Sequence, residues 1–285
     1  MKKIGIIDVG GGLRGAFGAG VFDYLIEKNI VIPYCIGISA GSANIASYIS
    51  KQKGRNYDFY TKYNIDKKAI SFSNFLKNRN LINLDYIYGE LSNEGGKSPL
   101  NYEKMIKSNQ EYYFVASDAS TGKPKYFDKN DVKKNDYRVF SCSSCIPVMC
   151  KPYPFKNHFY YDGAITDPIP IKKCLDDGCD KVIVILTREK DFRKHDSKMK
   201  KTFYKTLKRK YPLFTEKLLV RDKTYNDAVE LIENEYKDKV FIVSPDDTSK
   251  LKTLTKDVDE IIKLYKDGYN KGKLVEDYYK GVINE

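Results

Sequence analysis

Histidine is nearly missing from this chain, whose 285 residues carry two, His158 and His195. So few imidazoles exclude a His-rich metal site. Long apolar runs are absent as well. None approaches the roughly 18 residues of a membrane span, so no spanning helix is expected. The opening Met1-Lys2-Lys3 leads straight into Ile4-Gly5-Ile6-Ile7-Asp8. That apolar run is too short for a signal peptide, and Asp8 interrupts it. Gly/Ser-rich and Pro-rich linkers are lacking, and no repeat is found, so a single α/β domain over 1–285 is expected. A chain of this length buries a substantial core without help from disulfides or metals.

Apolar residues make up 41% of the chain and charged residues 31%, with 24 Tyr and 14 Phe. This richness in aromatics excludes a disordered chain. Six cysteines occur, at 35, 142, 145, 150, 174 and 179. Cys142-x-x-Cys145 has the spacing of half a zinc site, but Cys174 and Cys179 have no histidine beside them to supply the other half. Buried thiols in a reducing cytoplasm are the expected state. The net charge is +12, and residues 188–210 hold eleven Lys or Arg against three Asp or Glu, a local +8. Such a surplus suits an anionic partner, a membrane surface or nucleic acid. No nucleic-acid motif or stacking pattern accompanies it, so no specific nucleic-acid binding is expected.

Lys3 to Val9 reads as a short buried strand, and 16 to 28 as a helix with Phe17, Val21, Leu25 and Ile26 on one face. A second strand, about Ile32 to Gly37, leads into a small-residue helix from Gly41 to about Ser50. Two strand–turn–helix units in succession indicate a parallel sheet with right-handed crossovers. Residues 51–100 read as short helices and loops, a cap over a site. Further strands are expected at Glu111 to Ser117, Lys125 to Asp128, Phe159 to Asp162, Lys181 to Thr187 and Lys239 to Ser244. A long amphipathic helix from about Thr255 closes the chain.

Three constellations carry chemistry. Gly10-Gly11-Gly12-Leu13-Arg14-Gly15 joins the first strand to the first helix. Glycines there let backbone N–H groups approach an oxyanion, whether a pyrophosphate or a tetrahedral intermediate. A dinucleotide site also needs an acid at the end of the second strand. That strand runs instead into Gly37-Ile38-Ser39-Ala40-Gly41, a G-x-S-x-G between a strand and a helix. This is the context in which a strained turn exposes a nucleophilic serine. The third is Tyr161-Asp162-Gly163-Ala164, an aspartate at a strand end. Ser39, Asp162 and His195 formally follow the chain order of a triad, but His195 lies in a charge run, where a catalytic imidazole is not expected. His158 is four residues before Asp162 on the same strand. A carboxylate acting directly as base fits the scarcity of histidine better.

Together, these three motifs in this order resemble the bacterial patatin-like phospholipase family. Phe140-Ser141-Cys142-Ser143-Ser144-Cys145-Ile146-Pro147 is similar to the small-residue helix that precedes the family's Asp-Gly strand, and Asp167-x-x-Pro170 to the segment after it. The resemblance runs from residue 4 to about 187, and 188–285 carries no motif. It implies a three-layer α/β/α fold with a mostly parallel central sheet. It also implies a Ser–Asp dyad that cleaves acyl esters of lipids, with phospholipids or other acyl-ester lipids as substrates. Ser39 would be the nucleophile and Asp162 the base. The backbone N–H groups of Gly11, Gly12, Leu13 and Arg14 would hold the oxyanion, with Ala40 contributing. Gly10, Gly15, Gly37, Gly41, Gly163 and Ala164 complete the motifs. No metal and no cofactor are needed. Arg14 would steer a phosphate head group or hold the loop by a salt bridge. The other readings are a non-catalytic lipid- or protein-binding module and a dinucleotide-binding oxidoreductase. The setting expected is the cytoplasm, with the 188–210 segment meeting the anionic inner membrane surface.

Overall fold

The computed structural model describes residues 2–63, 66–71, 75, 79–195, 198–251 and 257–284, and for 198–202 the backbone alone. Eight strands form one sheet: β1 (Ile4–Asp8), β2 (Tyr34–Ile38), β3 (Glu111–Asp118), β4 (Pro124–Phe127), β5 (Tyr153–Phe155), β6 (His158–Asp162), β7 (Lys181–Ile185) and β8 (Val240–Val243). Their order is β5-β6-β3-β2-β1-β7-β8, with β4 pairing β3 off this path. Strands β3, β2, β1, β7 and β8 run parallel, while β4 and β6 pair β3 antiparallel and β5 pairs β6 antiparallel.

The parallel strands are buried on both faces, so their apolar runs are nearly continuous. Alternate residues serve two cores. Ile4 and Ile6 of β1, Cys35 of β2 and Ile183 and Ile185 of β7 join α1 (Ala16–Glu27), α2 (Ala40–Ile49) and the Val258–Asn284 helix. Ile7, Ile36, Val182 and Val184 join the Ile171–Asp176 and Pro212–Asn234 helices on the other face. The result is the three-layer α/β/α arrangement expected. The described residues of segment 51–100 include short helical turns, Arg55–Asp58, Phe59–Tyr63 and Tyr86–Glu90. The expected start of the last helix, Thr255, lies outside the described residues. All six cysteines are buried free thiols.

Register brings the motifs together. Asp8 at the end of β1 pairs with Gly37, and on its other side with Ile185. The glycine-rich loop, the serine turn and Thr187 therefore leave the sheet at one edge. Ile38 pairs with Val115, and one step along β3 Ala116 pairs with Asp162. Asp162 thus reaches the level of Ser39 from the antiparallel strand two positions away, a separation that two side chains can bridge.

Candidate active site

Ser39 caps α2 with φ 55° and ψ −129°, a conformation that L-residues seldom adopt. The turn is tight because α2 starts against β1: a Cβ at Gly41 would sit 2.3 Å from the Asp8 carbonyl oxygen. A Cβ at Gly10 would lie 2.2 Å from the Ile38 carbonyl oxygen, so each turn requires a glycine where it meets the other. The strained backbone is tied in place by Ser143 of the Arg138–Ser144 helix. The Ser143 hydroxyl accepts from the Ser39 N–H at 2.9 Å and donates to the Val115 carbonyl at 2.6 Å.

The Ser39 and Asp162 side chains line the same cavity and interact with each other. Both residues are only 6% exposed. Burial pushes the Asp162 carboxyl above its ordinary range. The interaction with Ser39, the Ala164 N–H donating to Asp162 Oδ1 at 2.9 Å, and the charges of Arg221 and Lys194 act in the opposite direction. A carboxylate so held can accept the Ser39 proton.

Across from the pair runs a loop of three consecutive left-handed glycines, Gly10 (φ 65°), Gly11 (φ 124°) and Gly12 (φ 62°). Gly10 is held by both its polar groups. Its N–H donates to Asp8 Oδ1 at 2.9 Å, and its carbonyl accepts from the Thr187 hydroxyl. Asp8 is fully buried and its carboxyl is pushed up to about 6, despite the Asn44 amide donating to it at 2.8 Å. Residues Gly12–Gly15 then form a tight helical turn leading into α1.

Two cavities border Ser39, Gly12 and Ile146. The larger, about 410 Å³, also meets Gly10, Gly11, Arg14, Asp162 and Ala164. The smaller, about 50 Å³, is apolar and takes in Leu13, Ala40, Phe59 and Ile87. Leu13 therefore turns its side chain away from the larger cavity that Gly11, Gly12 and Arg14 line. Arg14 is half-buried, and its guanidinium is lowered to about 10 by burial and by Arg188.

His195 lies exposed on the rim of the larger cavity. His158 bonds Asp118 at 3.0 Å, at the far end of β6 from Asp162, and lines neither cavity. Motif reading missed Arg188, Lys194, Arg221, Asp222 and Tyr225, all of which line the larger cavity. No local pattern marks them. The basic run was the nearest signal, and part of it, Arg188 and Lys194, turns into the site instead of lying wholly in solvent.

A profile of the patatin-like phospholipases matches residues 9–175, more than half of the chain. The chain belongs to the patatin-like phospholipase family. It is similar to the uncharacterized protein YjjU of Escherichia coli, 27% identical over 187 residues, covering 65% of this chain and 52% of that protein. It is also similar to a probable lipid hydrolase, 463L, of Invertebrate iridescent virus 6, 28% identical over 185 residues, covering 57% of this chain and 60% of that protein. This patatin-like chain thus spans between half and two thirds of the length of both relatives. VipD from Legionella pneumophila shares the fold, with TM-score 0.50 at 13% identity over 98% of this chain and 67% of VipD. A second profile, of a domain of unknown function, matches residues 211–282. In this patatin-like protein that stretch holds β8, which pairs with β7 in the common sheet, and it supplies Arg221, Asp222 and Tyr225 to the cavity. No described helix is long and apolar enough to cross a membrane.

Proposed function

We propose that this protein is a lipid acyl hydrolase that works through a Ser39–Asp162 dyad and an acyl-enzyme intermediate. The observation that carries the reading is that Ser39, in a strained strand-to-helix turn, and a buried Asp162 line one cavity with a loop of left-handed glycines. Asp162 takes the Ser39 proton as Ser39 Oγ attacks the acyl carbonyl. Backbone N–H groups of the Gly11–Arg14 loop, with Ala40, hold the oxyanion that forms. The proton passes to the leaving alcohol, the acyl group stays on Ser39, and water activated by Asp162 releases the fatty acid. The apolar cavity beside Leu13 and Phe59 suits the acyl chain.

The reading takes 1–285 as one catalytic domain, because β8 extends the sheet that carries the dyad. It also places the protein at anionic lipid surfaces. The Lys198–Leu207 helix contributes Phe203 to the cavity lining, and Lys205 and Lys208 are exposed. Lys198 and Lys201, which would extend that cationic stripe, have side chains outside the described residues. The test of the central reading is hydrolysis of a short-chain p-nitrophenyl ester by folded Ser39→Ala. Loss of the order of 10³ or more supports it, and turnover near the wild-type rate rejects it.

A further inference from the structure

The two cavities that meet at Ser39 differ in character. The apolar one would hold the acyl chain, which leaves the larger one for the alcohol that departs. Among the described residues, the cations Arg14, Arg188, Lys194 and Arg221 and the carboxylates Asp162 and Asp222 line that larger cavity, and Glu189 acts electrostatically on Arg14 and Arg188. Arg221 Nε lies 3.6 Å from Asp222 Oδ1. Arg188 is held by neutral groups: it donates to the Thr248 hydroxyl at 2.7 Å and lies 5.0 Å over the Phe192 ring. Lys194 is half-buried, with its ammonium 4.2 Å from the centre of the Tyr225 ring. Among the described residues it makes no salt bridge.

Its position is nonetheless fixed. The Lys194 N–H donates to Asn226 Oδ1 at 2.8 Å, and the Asn226 amide donates back to the Lys194 carbonyl at 2.9 Å. Gathering like charges in a half-buried space is unfavourable unless an anion answers them. The strain shows in Lys194, which burial, then Arg221 and Arg14, lower to about 7, against the pull of Asp222 and Asp162. Three of these cations come from beyond residue 187, outside the patatin-like match.

Resting on the dyad reading, we propose that Arg188, Lys194 and Arg221 form an anion subsite for a phosphate carried by the leaving alcohol. The preferred substrate is then an acyl ester of a phosphorylated alcohol such as glycerol phosphate. A phosphate monoester brings between one and two negative charges near neutral pH. An anion of that charge beside Lys194 favours its ammonium form, so Arg188, Lys194 and Arg221 can answer it together. In a glycerophosphocholine leaving group the quaternary ammonium offsets the single phosphate charge, so its net charge is zero and it gains less from these cations.

The test uses glycerol 3-phosphate and inorganic phosphate, titrated calorimetrically into Ser39→Ala protein. It is paired with wild-type kcat/KM for an acyl-glycerol 3-phosphate and for the monoacylglycerol of the same chain. Glycerol 3-phosphate is expected to bind tighter than inorganic phosphate, to weaken on the order of tenfold or more with Lys194→Gln added, and to recover with Lys194→Arg. The phosphorylated ester is expected to be favoured by a similar factor, and less so in Arg221→Gln. Equal binding of the two anions overturns the leaving-group assignment. Binding that Lys194→Gln leaves unchanged overturns the subsite. Hydrolysis of both esters without preference also overturns the subsite while the dyad stands. Lys194-dependent binding with no ester cleaved by the wild type upholds the subsite and rejects the dyad.

Discussion

Ser143 holds Ser39 in its strained turn: one hydroxyl accepts the Ser39 N–H at 2.9 Å and donates to the β3 carbonyl of Val115 at 2.6 Å. Ser143→Ala would leave a buried N–H without its acceptor, at a cost of about 1–3 kcal/mol. Thermal unfolding should fall accordingly. Ester hydrolysis should fall by about tenfold as Ser39 loses its fixed orientation. An unchanged melting temperature and rate would show that the elbow needs no such tie.

Asp162→Asn should lower kcat by about 10²–10⁴, the usual contribution of a general base. His195→Ala should stay near wild type, since His195 sits exposed on the rim. Steady-state kinetics of the two variants decide between a dyad and a triad. A dead His195→Ala with an active Asp162→Asn would establish the triad.

The acid limb of the pH–rate profile should report Asp162. Its carboxyl is raised by burial, and the base form is the carboxylate, so kcat/KM should rise with pH through a value above the ordinary aspartate pKa of about 4. The charges of Arg221 and Lys194 hold that value down. Arg221→Gln or Lys194→Gln should therefore move the limb to higher pH. A limb that stays in place, or moves lower, would show that another group titrates.

Asp8 should leave its mark on stability. Its folded pKa of about 6 exceeds the unfolded value of about 4. The native state thus binds more protons between these values, and stability should fall as pH rises through that window. Asp8→Asn should flatten this slope in urea melts at pH 4 and pH 6. The same slope in wild type and variant would assign it to other buried carboxyls.

The cationic Lys198–Leu207 helix should draw the protein to anionic vesicles at low salt and release it at high salt. Changing Lys198, Lys201, Lys205 and Lys208 to Gln should weaken co-sedimentation. Equal binding to neutral and anionic vesicles would contradict electrostatic docking.

The elements around Ser39 and Asp162 were legible because local sterics write them into the chain. Gly10 and Gly41 mark two turns that press on each other, and Lys181 to Thr187 is apolar enough to name a central strand. The Pro212–Asn234 helix was not legible, because Thr215 and Asp222 interrupt its buried face. β5, three residues with Pro154 in the middle, looks unlike a strand, but it lies at the sheet edge, where a proline is tolerated. The cavity's cations were hidden for a different reason. Whether Lys194 in a basic run faces solvent or a site depends on Asn226 and Tyr225, more than thirty residues away, and no local period encodes that.

The central claim is that Ser39 is the nucleophile, and an active-site-directed fluorophosphonate tests it most directly. Peptide mapping of labelled protein by mass spectrometry should find one adduct on Ser39. Labelling should be absent in Ser39→Ala and slowed in Asp162→Asn. An active protein that takes up no label, or takes it up equally in Ser39→Ala, would contradict the account.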